Sequence, residues 1–161
     1  MNRLKLLLIL GILLLLQACA SRPYLKENSA LIVFKTPTFR YADMGFIYEN
    51  NNEIKAEIYA SGQALMTINI GKESVCMSLL ECMSRENFNK NVLSSLYPNE
   101  ILDNIFRGKA IFKKKNLQKN RNGFTQIIVK QNKYNIHYSV LNNEITFRDT
   151  INSILIKIKK Q

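Results

Sequence analysis

The chain has 161 residues, 47% of them hydrophobic, and a formal net charge of +11 at pH 7. This length suits one domain with a proper core and is too short for two. A single histidine, His137, and three aspartates argue against a catalytic triad, and no cluster of His, Cys and Asp offers the three or four ligands of a metal site. With no Gly-rich phosphate loop either, we expect neither an enzyme nor a bound metal or cofactor.

The chain begins with the three parts of a secretory signal. Arg3 and Lys5 precede an apolar run over residues 6–16, which is shorter than the roughly 20 apolar residues that cross a bilayer. The run ends in Leu-Gln-Ala-Cys at 16–19, which resembles the end of a bacterial lipoprotein signal. An uncleaved anchor and a secreted protein with a chance cysteine are the alternatives.

The lipoprotein resemblance implies that residues 1–18 are removed and that Cys19 becomes a triacylated N-terminus. Several acyl chains would then hold the protein firmly on a bilayer. Ala20 and Ser21 follow the cysteine without an aspartate, which by analogy directs the protein to the outer membrane, facing the periplasm. The exported chain stays basic, so anionic lipid headgroups or acidic proteins are favoured over nucleic acid as partners. A charge that serves solubility alone is the alternative.

Two further cysteines, Cys76 and Cys82, remain once Cys19 carries lipid. An even pair in an oxidising compartment predicts a disulfide. Two separate buried thiols are the alternative.

Most of the chain shows the two-residue periodicity of β-strands. Polar residues 19–28 are predicted to be a tether, and the folded domain to cover 29–161. Residues 53–60, for example, place Ile54, Ala56 and Ile58 on one face. Strands are predicted at 31–34, 39–48, 53–60, 64–70, 74–80, 124–130, 134–140, 145–148 and 153–160. Because the connections are short, they predict an antiparallel meander.

Helical spacing occurs only in the middle of the chain. Ser84 is predicted to cap a helix over 85–96, and a second apolar helix face is predicted at 101–106, ending at Gly108. Residues 109–122 are predicted to be a loop rich in cations. A solvated loop is one interpretation, and a contact for anionic headgroups is the other, made by Lys113, Lys114, Lys115, Lys119 and Arg121.

Three parts of the chain resemble the LolB and LolA family of lipoprotein receptors and carriers. They are residues 64–71 (Ala-Leu-Met-Thr-Ile-Asn-Ile-Gly), residues 93–108, and residues 123–138 with 145–159. The resemblance implies a mainly β (α+β) fold, in which an antiparallel incomplete barrel has two to three short helices lidding its concave face. The chain lacks tryptophan, which the family commonly has, and its 74–83 hairpin is shorter.

The same resemblance implies a function. We expect an outer-membrane lipoprotein that binds the acyl chains of other lipoproteins in an apolar cavity and inserts them into the outer membrane. Its partners would be those lipoproteins, a periplasmic LolA-like carrier and outer-membrane lipid, and the chain would be a monomer. The family's exposed apolar tip falls on Ile70, beside Gly71. An ordinary core isoleucine is the alternative for this position.

Strand phase selects a set of apolar residues that could line the cavity. The set is Phe39, Tyr41, Phe46, Ile54, Ile58, Met66 and Ile68. The alternative function is an envelope-assembly or structural lipoprotein with a filled core, which uses the same scaffold to bind a protein partner or lipopolysaccharide.

Overall fold

The computed structural model describes residues 24–78 and 80–161, and this part of the chain is mainly β. It contains eleven strands, two α-helices and one 3₁₀ helix. The strands are β1 Lys26–Lys35, β2 Arg40–Glu49, β3 Ile54–Ala60, β4 Gln63–Ile70, β5 Ser74–Met77, β6 Leu80–Ser84, β7 Leu117–Asn120, β8 Gly123–Lys130, β9 Tyr134–Leu141, β10 Glu144–Asp149 and β11 Ile154–Lys160. The helices are α1 Arg85–Val92, α2 Ile101–Arg107 and the 3₁₀ helix Phe112–Lys114.

All eleven strands belong to one antiparallel sheet with the order β6-β5-β4-β3-β2-β1-β11-β10-β9-β8-β7. The first and last strands pair in its middle, where Ile32 faces Ile158. The sheet therefore consists of two meanders joined at β1 and β11, and it stays open, with β6 and β7 as its edges. Both helices lie in the connection between these two edge strands. The predicted mainly β, antiparallel and incompletely closed architecture is confirmed.

The alternation in the sequence decides which face of the sheet is buried. In β11, Ile154, Ile156 and Ile158 are buried, whereas the alternating Lys157 and Lys159 are not. We call the face that carries these isoleucines the inner face and the opposite one the outer face. Burial of one face explains why a period of two is clear in the sequence.

Local signals set the helix ends. The Ser84 side chain accepts a hydrogen bond from the Asn87 N–H at 3.2 Å, so it caps α1 as predicted. The helix ends at Val92, four residues before the predicted end, because Leu93 leaves the helical backbone conformation. Gly108 adopts the left-handed conformation that ends α2, with φ of 65°.

Both helices contribute apolar side chains to the same core as the inner face. These side chains are Phe88, Val92, Ile101, Leu102, Ile105 and Phe106. The core is therefore continuous from the sheet into the helices.

Three predicted boundaries are wrong. The tether ends earlier, because β1 begins at Lys26, which pairs with Glu49 of β2. The predicted strand 74–80 is instead part of the hairpin of β5 and β6. The predicted loop 109–122 contains the 3₁₀ helix and β7, which pairs with β8. In all three places strand pairing determines the structure, and the local sequence does not show which strands pair.

Candidate functional site

Four residues predicted to line a cavity lie on the inner face of β3 and β4, as expected. Ile54, Ile58, Met66 and Ile68 are at most 1% exposed, and they belong to the same core as the helix side chains. The expectation of an open concavity along these residues is wrong for this conformation, because they are buried in one continuous core with the apolar side chains of α1 and α2.

Two further predicted lining residues, Phe39 and Tyr41, lie near the end of this face. Both are half-buried and pack against the core, and their rings stack with centroids 6.3 Å apart. Tyr41 faces Phe34 of β1. This end of the inner face is therefore more open to solvent than β3 and β4.

The prediction is wrong for the seventh lining residue, Phe46, which lies on the outer face. Its neighbours Gly45 and Ile47 are buried, whereas Phe46 is 38% exposed on the outer face. Its ring lies 6.2 Å from that of Tyr48 and 5.8 Å from that of Tyr59. In a regular strand, the odd spacing between Tyr41 and Phe46 requires opposite faces.

The proposed membrane-insertion tip at Ile70 is also wrong. Ile70 is fully buried, and it pairs with Ile54 on one side and Val75 on the other. Gly71, next to it, donates its N–H to the Ser74 carbonyl at 2.9 Å and closes the turn. Ile70 is thus a core residue in phase with Met66 and cannot reach a membrane in this conformation.

A charged network that sequence reasoning missed fastens the helices to the sheet. Arg85, at the start of α1, donates to the Gly71 carbonyl oxygen from its Nε at 2.8 Å. Arg107, at the end of α2, bridges Glu49 of β2 at 3.0 Å and Asp103 at 3.1 Å. Asp103 also lies 3.7 Å from Arg85. The spacing of Asp103 and Arg107 is the sole local signal of this network.

The segment between the helices is fastened elsewhere, through Tyr97. Its hydroxyl donates to Asp149, which is 1% exposed and also accepts from the backbone N–H groups of Asn135 and Ile151. Burial opposes the charge on Asp149, but hydrogen bonds from Tyr97 and Asn152 outweigh it and hold the pKa of the carboxyl below its usual range. Burial and the bond to Asp149 raise the pKa of Tyr97.

Cys76 and Cys82 form a disulfide across the hairpin of β5 and β6, with Cα atoms 4.1 Å apart. This is the pairing that the cysteine count predicts.

Replacing both Cys76 and Cys82 by serine is expected to lower the free energy of unfolding by about 2 kcal/mol, because the cross-link closes only a short loop in the unfolded chain. Urea unfolding of the mature chain measures the change. Hydrogen bonds between Ser78 and Thr67 of β4 fasten the same hairpin to the sheet, so the fold should survive. Loss of the sheet signal in circular dichroism would contradict this.

The five cations predicted to contact headgroups lie together on and around β7. Lys113, Lys114, Lys115, Lys119 and Arg121 are all exposed. Within residues 24–78 and 80–161, no carboxylate forms an ion pair with any of them. They are free to meet an anionic surface.

The signal at 1–18 and the lipid-attachment residue Cys19 lie outside the described residues. Among the helices that the structure describes, none is long and apolar enough to cross a membrane. The described residues also contain no group of three His, Cys, Asp or Glu side chains placed to hold a metal ion.

No protein-family model matches the chain, and no curated protein matches it. These comparisons therefore name no family, and membership of the LolB and LolA family is a proposal.

Proposed function

We propose that this is an outer-membrane lipoprotein of the LolB type, anchored through Cys19 and facing the periplasm. It binds the acyl chains of other lipoproteins, delivered by a LolA-like carrier, between its helices and the inner face, and inserts them into the outer membrane. The observation that carries the proposal is the cover itself. Helices of only eight and seven residues lid the apolar inner face of an open, barrel-like sheet.

The two surfaces that meet beneath the helices, the inner face and the helix side chains packed on it, suit an alkyl chain. The inner face beneath the helices is apolar over β3, β4 and β11, and the helix side chains that meet it are apolar as well. An acyl chain needs apolar contact without directional hydrogen bonds. The inner face can therefore accept an acyl chain in place of the helices.

The magnitudes allow this exchange. Lifting both helices exposes six large apolar side chains, at roughly 2 kcal/mol each, together with a comparable apolar area of the inner face, or about 24 kcal/mol in all. Burying one acyl chain of about 15 methylene groups at 0.8 kcal/mol each recovers about half of this amount. A triacylated lipoprotein carries more than one such chain, so its chains together can hold the helices open. The empty protein stays closed, and closure favours release of the cargo.

Binding of lipopeptide should increase when the helix cover is weakened. Leu102 of α2 is 2% exposed, and Leu102→Ala removes apolar contact that holds α2 on the inner face. We expect about tenfold tighter binding of a synthetic triacylated lipopeptide together with a lower free energy of unfolding, because the closed state competes with the ligand. Isothermal titration with the mature Cys19→Ser chain measures the affinity.

Ile127→Ala is the matched control, since Ile127 is exposed on the outer face of β8. This substitution should change neither the affinity for the lipopeptide nor the free energy of unfolding. If the unsubstituted chain binds no lipopeptide and Leu102→Ala does not restore binding, acyl transport fails.

The closed interior supports a second candidate function. A core that is complete without a ligand is what an envelope-assembly or structural lipoprotein needs if it binds a protein partner or lipopolysaccharide through its surface. In that case lipoproteins are sorted normally when this protein is depleted. If it acts in transport, depletion leaves them on the periplasmic carrier.

A further inference from the structure

The outer face of β2–β4 carries exposed and half-buried aromatic and apolar side chains, and Tyr24, which precedes β1, packs against them. We call this set the outer aromatic patch: Tyr24, Met44, Phe46, Tyr48, Tyr59 and Leu65. Its rings are in contact, since Tyr48 lies 5.5 Å from Tyr24 and 6.2 Å from Phe46 between ring centroids. Met44, Phe46 and Leu65 are each more than a third exposed. Exposed apolar surface of this extent usually marks a contact.

The opposite half of the sheet is different. At the level of Met44 on the outer face, β11 and β10 carry Lys159 and Glu144. Ile127 and Val129 of β8 are also exposed on the outer face, so exposed apolar residues alone do not distinguish the two halves. The cluster of aromatic rings in mutual contact distinguishes the half that contains β2–β4.

The position of Tyr24, close to Cys19 in the sequence, suggests what covers the patch. Tyr24 packs on Tyr48 within the patch, and Cys19 lies five residues earlier. Five residues span at most about 18 Å. If Cys19 carries lipid, as the proposed function requires, the patch is held within that distance of the bilayer.

The chemistry of the patch also fits a bilayer surface. Tyrosine combines an apolar ring with a polar hydroxyl, and such side chains concentrate at the headgroup level of membranes. Lys55 lies 5.5 Å from the centre of the Tyr48 ring but is paired with Glu57 at 2.6 Å, whereas Lys159 of β11 faces Leu31 beside the patch. Lys159 and the basic mature chain, whose net charge is +9 once Arg3 and Lys5 leave the total of +11, suit anionic lipid.

We propose that the outer aromatic patch is a membrane-contact face, which rests in the headgroup layer of the bilayer that holds Cys19. This contact fixes the orientation of the protein. The helices lie on the other side of the sheet, so they face the periplasm, where a carrier can reach them. The inference rests on the anchoring of Cys19 but not on acyl binding inside the fold.

The chain has no tryptophan, so one substitution creates a unique fluorescent reporter. We compare Phe46→Trp with Ile127→Trp, because Ile127 is exposed on the outer face of β8, outside the patch. The acylated protein is placed in vesicles of three parts phosphatidylethanolamine to one part phosphatidylglycerol, with and without brominated acyl chains. We expect a blue shift and strong quenching for Phe46→Trp and neither for Ile127→Trp.

A second measurement uses the mature Cys19→Ser chain, which has no lipid of its own. Leu65→Ser should weaken its partitioning onto the same vesicles about tenfold, because one leucine leaves the apolar contact. Val129→Ser, at another exposed apolar residue of β8, should leave partitioning unchanged. Circular dichroism checks that both variants fold.

Equal quenching of the two tryptophan variants, or none in Phe46→Trp, would overturn the membrane-contact face. So would equal partitioning of Leu65→Ser and Val129→Ser. Lipopeptide titration without vesicles separates this inference from the proposed function. If Phe46→Trp is not quenched although the protein binds lipopeptide, the membrane-contact face is rejected and acyl transport is not. If Phe46→Trp is quenched although the protein binds no lipopeptide, acyl transport is rejected and the membrane-contact face is not. The mass of the N-terminal peptide establishes independently whether Cys19 is acylated.

Discussion

Ile70→Glu is expected to unfold the protein at neutral pH. Ile70 is fully buried between Ile54 and Val75, with an apolar core on every side. The Arg85 guanidinium, which bonds the carbonyl of the neighbouring Gly71, already lies beside Asp103. Burying an unpaired charge costs several kcal/mol, in addition to the lost packing of the isoleucine, and this is comparable to the whole stability of a small domain.

Leu65→Glu is the matched control, since Leu65 lies on the same strand and is 51% exposed. It should leave the thermal unfolding temperature nearly unchanged, because its carboxylate stays in water. The two variants are compared by circular dichroism and thermal unfolding. A folded Ile70→Glu chain that fails only in transfer of lipoproteins would instead restore Ile70 as an exposed tip.

Local patterns predicted the parts of the fold that depend on neighbouring residues. The alternation in β3 and β11 follows from burial of one sheet face, and Ser84 and Gly108 end the helices by their own side-chain and backbone chemistry. The order of the strands also followed from short connections within each meander. Pairing of β1 with β11 joins the two meanders into one sheet, and no local feature of the sequence indicates this pairing.

Contacts between distant residues were not predictable in the same way. Glu49 and Arg107 are far apart in the chain, and neither has a sequence feature that selects the other. The helices' position determines whether the inner face is hollow or filled, and helical periodicity shows only that the helices have an apolar side. Phe46 is the exception, because counting residues from Tyr41 would have placed it on the outer face.

Asp149→Ala is expected to lower the free energy of unfolding by about 4 kcal/mol. The buried carboxylate accepts hydrogen bonds from the Tyr97 hydroxyl and from the backbone N–H groups of Asn135 and Ile151. Alanine leaves these donors without their partner, the Tyr97 hydroxyl in a buried position, and each unsatisfied buried group costs about 1–3 kcal/mol. Urea unfolding at neutral pH measures the loss.

Tyr97→Phe tests the charge on Asp149 separately from ring packing. The variant keeps the edge-on contact with Phe147 but removes one donor, so we expect a loss of about 2 kcal/mol at neutral pH. Because the bond from Tyr97 helps to lower the pKa of Asp149, its contribution is present above the unfolded pKa of about 3.9 and is lost as the pH falls through the lower folded value. The difference in free energy of unfolding between Tyr97→Phe and the unsubstituted protein should therefore become smaller below pH 4.

Tyr134→Phe is the control, because it removes a nearby hydroxyl that does not bind Asp149. Its difference in free energy of unfolding should not become smaller below pH 4. A difference that stays constant with pH would show that Tyr97 acts through packing alone.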